Sequence, residues 1–474
     1  MRTLFLQAPS FDGFDGGAGS RYQARREIKS FWFPTWLAQP AAMVPGSRLV
    51  DAPADGLSAE QCLAIARDYE LVIFHTSTPS FATDARFAEM LKRQNPQVLI
   101  GFVGAKAMVD PDGTLRDAPA VDFACREEFD YTCQEVSEGR ALEQVRGLSY
   151  RRADGSIAHN LPRPAIENMD ELPFVAPVYR RDLTIRNYFI GYLKHPYVSL
   201  YTGRGCRSKC TFCLWPQTVG GHRYRVRSAQ NVIAEVKWIK ENMPEVKEVM
   251  FDDDTFTDSS NLPRVEAIAR GLGALGVTWS CNAKANVPYA TLKVMKENGL
   301  RLLLVGYESG DDGILHNIKK GLRTDIARRF TADCHKLGIL IHGTFILGLP
   351  GETAQTIRKT IDFATEINPH TIQVSLAAPY PGTTLYRQAL ENGWLSSPDS
   401  SLVNDQGVQL AALSYPHLSK QEIFHSMELF YRQFYFRPSK IWEIVKEMLM
   451  SWQMLKRRLR EGIEFFRFLR AHQA

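Results

Sequence analysis

Residues 197–213 read YVSLYTGRGCRSKCTFC. Residues 197–202 are a short apolar run of strand length, and Cys206, Cys210 and Cys213 follow it in CxxxCxxC spacing. A structural zinc site takes four ligands, commonly in paired CxxC steps. Three thiolates on one loop instead suit an iron–sulfur cubane with one iron left unligated by protein. Such an iron can hold a small chelating ligand and pass it an electron. Three unrelated cysteines and a zinc knuckle are the competing readings of this spacing.

Downstream, apolar runs of strand length alternate with helical periodicity. Strands are expected at 197–202, 246–252, 277–282, 301–307, 339–347 and 371–377, and helices at 229–243, 262–274, 288–298, 324–337, 353–367 and 383–392. Asn298-Gly299 and Leu337-Gly338 fit helix C-caps. Six βα units imply a barrel-like parallel sheet short of the eight of a full TIM barrel, with function at the C-terminal strand ends.

Upstream, strands are expected at 3–8, 71–76 and 98–104, with helices at 58–69 and 82–93 between them. This pattern implies a second parallel α/β sheet, whose ligands bind where strands end. Those ends are 75–80 (HTSTPS) and 104–106 (GAK). Residues 150–195 carry Pro162, Pro164, Pro173 and Pro177 without sustained periodicity and read as a connector. The tail from 417 reads as helical. Ile441, Ile444, Val445, Met448, Leu449, Trp452, Leu455 and Leu459 form a stripe, followed by Lys456, Arg457, Arg458, Arg460, Arg467 and Arg470. That tail is expected either to pack on the barrel or to touch anionic lipid.

The 474 residues are 45% hydrophobic and 23% charged, which excludes disordered and fibrous classes. The net charge of +5 is too small to imply nucleic acid, so no nucleic-acid partner is expected. No apolar run reaches membrane-spanning length, and MRTLFLQAPS is not a signal peptide, so a cytoplasmic enzyme is expected. Eight cysteines do not make a disulfide scaffold.

Several strand-end motifs accompany the triad. Asp252, Asp253 and Asp254 end the second barrel strand and Glu308, in Gly306-Tyr307-Glu308-Ser309-Gly310, ends the fourth. Residues 343–352 (GTFILGLPGE) belong to the fifth strand and its exit, and 378–383 (APYPGT) follow the sixth. In this order, behind the triad, they resemble the radical S-adenosylmethionine (SAM) superfamily. The resemblance implies a [4Fe-4S] cluster on Cys206, Cys210 and Cys213, and a catalytic role for these three and for Glu308. It implies SAM contacts from Phe212, Asp252, Asp253, Asp254, Glu308, Thr344, Phe345, Pro379 and Tyr380. It also implies reductive cleavage of SAM to a 5′-deoxyadenosyl radical, with an electron donor such as flavodoxin or ferredoxin.

The upstream sheet, with 75–80, 101–104 (GFVG) and 121–129 (VDFACREEF), resembles the cobalamin-binding radical SAM subgroup. The implied architecture is a Rossmann-like cobalamin-binding-type sheet over 1–150, a connector over 151–195, a partial (β/α)6 TIM-like barrel over 196–400 and C-terminal helices over 401–474. Cobalamin contacts are expected from Thr76, Ser77, Thr78, Ser80, Gly104, Ala105 and Glu127. The DxHxxG motif is missing, so base-off binding with no protein histidine on cobalt is expected. The chain further resembles hopanoid-biosynthesis-associated radical SAM proteins, densest in 11–17 (FDGFDGG), 213–224 (CLWPQTVGGHRY) and 279–286 (WSCNAKAN). That resemblance implies a lipid substrate, glucosaminyl bacteriohopanetetrol, rearranged to the cyclitol ether. Trp215, His222, Asn282, Lys284 and Asn286 are its candidate contacts, with Tyr224 and Arg225 placed to face substrate or cobalamin. The alternatives are a cobalamin-dependent C-methyltransferase and a non-catalytic cluster- or corrinoid-binding module. Cys281 reads either as a hydrogen-atom donor or as an inert buried thiol.

Overall fold

The computed structural model describes residues 1–9, 11, 31–395, 402, 410–450, 455–456, 459–460 and 462–463. Of the 11–17 motif only Phe11 falls among them, and Trp452, Arg457, Arg458, Arg467 and Arg470 lie outside.

The first sheet has seven strands: β1 (Thr3–Gln7), β2 (Arg48–Asp51), β3 (Leu71–His75), β4 (Leu99–Val103), β5 (Phe123–Cys125), β6 (Leu148–Arg151) and β7 (Ile157–His159). Their spatial order is β2-β1-β3-β4-β5-β6-β7. The pairings from β2 through β5 are parallel, and β6 and β7 close the sheet antiparallel. Strand β1 is buried throughout, with Leu4 and Leu6 in one core and Phe5 in the other, as a sheet covered on both faces requires. The sheet runs on to His159, past the boundary expected at 150, because Ile157–His159 returns along β6 as a hairpin.

The second sheet holds the six expected barrel strands: β8 (Tyr197–Leu200), β11 (Glu248–Phe251), β12 (Trp279–Ala283), β13 (Leu300–Glu308), β14 (Leu340–Leu347) and β15 (Thr371–Leu376). All neighbours pair parallel in the order β15-β14-β13-β12-β11-β8, so the six C-terminal ends share one edge. An unexpected ribbon, β9 (Gly203–Arg204) against β10 (Arg225–Val226), pinches the base of the segment that carries the cysteines.

The helix Lys420–Tyr435 covers the free edge of the last strand. The Tyr431 hydroxyl accepts from Val374 N (2.9 Å) and that of Tyr435 from Ile372 N (3.0 Å), groups an edge strand would otherwise expose. Helix Pro438–Met450 follows it. Among the described residues no helix is long and apolar enough to cross a membrane.

Candidate active site

Cys206 and Cys210 are buried and Cys213 is half-buried, and none of the three is in a disulfide. Gln217 holds their loop. Its Nε2 donates to the carbonyls of Cys210 (3.1 Å), Thr211 (3.1 Å) and Cys213 (2.8 Å). Its Oε1 accepts from Thr384 N and Oγ1, both at 2.8 Å, at the start of the helix after β15. Thr211 N donates to Ile318 O (3.0 Å) and Leu385 N to Thr211 O (2.9 Å). His222 Nδ1 lies 3.3 Å from Cys206 O and 3.1 Å from Ser208 O, so it braces the same loop rather than standing free for a substrate.

The three aspartates differ in role. Asp253 is fully buried; it accepts from Thr202 N and Oγ1 and from the Tyr224 hydroxyl, each at 2.6 Å. Its carboxylate thus clamps β8 to the base of the cysteine segment, which leaves neither it nor Tyr224 facing a ligand. Burial, with Asp253 alongside, pushes the Tyr224 hydroxyl well above its ordinary pKa. Asp252 accepts from Asn282 Nδ2 (2.9 Å), which also reaches Asp253 O. Asp254 is half-buried, beside Gly220. Lys284 Nζ pairs with Asp258 at 3.5 Å, and Asn286 is exposed. Against the penalty of burial, Ser260 hydrogen bonds and the Lys284 and Arg207 charges hold Asp258 below the usual carboxylate range. Cys281 is fully buried, and burial drives its thiol far above its ordinary pKa, so it stays protonated.

Glu308 ends β13 in the left-handed region (φ 64°), where a non-glycine residue is strained. Its Oε1 accepts from Lys320 Nζ at 2.6 Å; Glu308 is buried and Lys320 half-buried. Burial opposes the Lys320 charge, but Glu308 and thiolate charge at Cys210 and Cys213 hold the ammonium above the ordinary lysine range. Burial raises the Cys210 thiol while Lys320 pulls it back. Gly306 makes room for the pair: a Cβ there would stand 2.4 Å from Glu308 Oε1 and 2.8 Å from Lys320 Nζ.

On β14 the side chains alternate. Phe345 stacks on Tyr307 (5.6 Å between ring centres) and tilts against Phe430, which puts it on the helix-covered face, whereas Thr344 is half-buried on the other. A side-chain contact from Phe345 to SAM, as the motif implied, is therefore replaced by core packing. Glu352 folds back onto its own loop, accepting from Gly348 N (2.6 Å) and Leu349 N (3.1 Å), and burial pushes its pKa up to about 8. Pro379 is buried and Tyr380 half-buried past the end of β15. Phe212 is half-buried against the barrel core.

The C-terminal edge of the first sheet meets the cysteine segment directly. Trp215, two residues beyond Cys213, stacks on Trp36 (5.5 Å, 11°) and lies 6.3 Å from the His75 ring at the end of β3. It is 5% exposed, an interface residue rather than a substrate contact. Beside it, Arg204 pairs with Asp130 (2.5 and 3.0 Å), and Arg225 grips Glu128 through two 2.7 Å bonds. The sequence singled out Glu127, but Glu127 turns away in a left-handed conformation to accept from Arg163 N. Glu128 makes the inter-sheet contact instead, and this takes Arg225 from the substrate-facing set. The hydroxyls of Ser77 and Ser80 bond each other (2.9 Å), and Ser80 donates to buried Asp84 (2.8 Å), whose pKa burial pushes up to about 7. Thr76 is buried and Thr78 half-buried in the same turn, with Gly104 and Ala105 buried beside it.

Both cofactor sites can be tested against these residues. Among the described residues, no three His, Cys, Asp or Glu side chains converge on one ion. A mononuclear zinc knuckle needs that convergence; a cubane, taking each thiolate on a different iron, does not. At the first sheet's edge the buried His75 leaves both ring nitrogens without a hydrogen-bond partner, and burial pushes its pKa down to about 4. Gly104 (φ 107°) presents bare backbone there; a Cβ would meet Thr76 O at 2.5 Å. The close approach of Thr76 O and His75 is what requires glycine at 104, and the neutral orphaned imidazole is the feature that fits a polar ring ligand at this edge.

Comparison with known proteins agrees with this layout. Residues 200–364 match the Radical SAM superfamily. An uncharacterized methyltransferase of Pyrococcus horikoshii is 29% identical over 415 residues, 85% of this chain and 88% of that protein. The structure of the cobalamin-dependent S-adenosylmethionine radical enzyme OxsB, with aqua-cobalamin and S-adenosylmethionine bound, aligns at a TM-score of 0.71 and 14% identity over 99% of this chain and 71% of that one. The radical S-adenosylmethionine methyltransferase TsrM from Kitasatospora setae, with cobalamin and a [4Fe-4S] cluster bound, aligns at 0.67 and 13% over 98% of both chains. At these identities the likeness is one of fold: a parallel sheet ahead of a partial barrel. The [4Fe-4S] cluster and SAM are the cofactors of the matched superfamily, and residues 200–364 of this chain are a radical SAM domain.

Proposed function

We propose that the protein is a cobalamin-dependent radical SAM methyltransferase. The observation that carries this reading is the junction at Trp215, which sets the strand ends of the first sheet against the cysteine segment of the barrel. Two cofactors held on facing edges can act on one substrate between them. When bound, the reduced cluster supplies an electron to SAM and cobalamin supplies a carrier for a methyl group.

The chain's own residues have distinct tasks here. Cys206, Cys210 and Cys213 hold the cluster, while Gln217 fixes the carbonyls between them. Asp252, Asp254 and Glu308 offer carboxylates to the amino group and ribose of SAM at the strand ends, with Thr344, Pro379 and Tyr380 beside them. Thr76, Thr78, Gly104 and Ala105 form the edge on which a corrin ring rests. The named relatives favour methyl transfer. Rearrangement of a hopanoid head group rests on the sequence resemblance alone and stands second.

The test is anaerobic reconstitution with iron, sulfide, hydroxocobalamin and SAM, with dithionite, flavodoxin or ferredoxin as electron donor and glucosaminyl bacteriohopanetetrol as trial substrate. A product heavier by one methyl group, together with S-adenosylhomocysteine, supports the proposal. A rearranged, unmethylated head group with 5′-deoxyadenosine moves the assignment to the hopanoid reading. A loaded cluster without either nucleoside overturns both and leaves a non-catalytic module. Cys210→Ala is expected to abolish nucleoside formation in every case, checked by chromatography.

A further inference from the structure

Helix Pro438–Met450 is held from one side only. Lys440 is buried; its Nζ donates to Pro369 O (3.0 Å) and pairs with Glu443 (2.8 Å), which in turn accepts from Asn368 (3.3 Å). At about 100° per residue, Lys440, Glu443 and Glu447 share that inner side. Ile441, Trp442, Val445 and Leu449 fall on the opposite side within an arc of about 100°. Ile441 is 44%, Trp442 57% and Leu449 78% exposed, and the helical Leu459 and Ile463 are 51% and 54% exposed. The apolar stripe thus points to solvent and the Lys440 side to the protein, the reverse of a helix packed by its apolar face.

Charge says what covers it. From Arg437 to Ala474 the sequence has nine Lys and Arg against four Glu, an excess of +5; Arg437 and Lys440 are bonded to the protein and the others remain on the basic side of that balance. Lys446 sits over the Trp442 ring at 5.4 Å, at the border of the stripe. A second copy of this chain would set like charges against each other. An anionic bilayer offers opposite charge to the bases and an apolar layer to the stripe, with Trp442 suited to the interface.

We propose that this helix docks the protein on an anionic membrane surface, lying in the headgroup plane with Ile441, Trp442, Val445 and Leu449 inserted. The inference is independent of the methyl-transfer reading. Docking places the enzyme where amphiphilic molecules concentrate, so substrates of that class reach it by lateral diffusion.

Co-sedimentation of the full chain with phosphatidylcholine vesicles, with and without phosphatidylglycerol, tests the proposal. The pelleted fraction is expected to rise about tenfold or more with the anionic lipid and to fall back at high salt. The triple variant Ile441→Glu, Trp442→Glu, Leu449→Glu is expected to stay in the supernatant while unfolding at the wild-type temperature, since these side chains are exposed. Equal recovery on neutral and anionic vesicles would overturn the proposal, as would undiminished binding by the triple variant. So would a wild-type dimer in light scattering that the triple variant loses, without vesicle binding by either.

Discussion

The charge balance beside Cys210 depends on the half-buried Lys320 and the buried Glu308, 2.6 Å apart. Removing either leaves the other desolvated and unpaired, which typically costs about 3–5 kcal/mol. Lys320→Met and Glu308→Gln are each expected to lower the urea midpoint strongly, and the double variant less than the sum of the two. A double-mutant cycle in urea measures this coupling, and additive losses would refute it. Glu308 was legible in the sequence because it ends a strand. Lys320 was not: it lies beyond the following short helix, and only the fold returns it to the cysteines. Asp84 is different: it meets Ser80 four residues away in the first turn of the helix Phe81–Gln94, a contact within reach of the sequence. The three adjacent aspartates were visible as a group, yet sequence could not say that Asp253 is committed to Thr202 and Tyr224.

At the scale of elements, all six barrel strands and their helices appear where the pattern placed them, because short, mostly apolar strands alternate with helices of clear period. Strands β2 and β5 escaped notice; at four and three residues they are too short to carry a period. The cysteine segment is held by Gln217, whose amide reaches three carbonyls at once. Gln217→Ala is expected to fold but to retain several-fold less iron after desalting, measured against wild type by iron and sulfide analysis. The loop after β14 has its own titration signature. Glu352, with a pKa near 8 against an ordinary 4.5, keeps a proton in the folded state that the unfolded chain has already released. Its contribution to stability therefore declines as pH rises between those two values. Glu352→Gln keeps the hydrogen bonds to Gly348 N and Leu349 N without the titration. Relative to wild type it should gain stability from roughly pH 5 to pH 8, as read from urea midpoints. A difference that stays flat across that range would count against the assignment.

At the scale of the whole molecule, the two sheets are joined by charges. Arg204 and Arg225 come from the ribbon at the base of the cysteine segment, and Glu128 and Asp130 from the end of the first sheet. All four are buried. Arg225→Ala would take the two-bond partner from buried Glu128 and leave it Arg204 at 3.5 Å and Ile166 N, and calorimetry is expected to show the cooperative transition separate into two, the first sheet unfolding apart from the barrel. A single transition merely shifted downward would mean the sheets are coupled by the aromatic contacts of Trp36 and Trp215 instead. The general plan of two α/β units was readable from alternating periodicity; this joint was not, because its four residues lie 74 to 97 positions apart along the chain. A related separation bears on biogenesis. Gln217 takes hold of Thr384 across 167 residues, and Thr211 also accepts from Leu385. During synthesis the cysteines leave the ribosome long before those partners do. The grip on the thiol loop is therefore completed only after the sixth strand has emerged, so stable iron delivery belongs to the nearly finished chain, and nascent fragments ending ahead of residue 384 should release their metal to chelators.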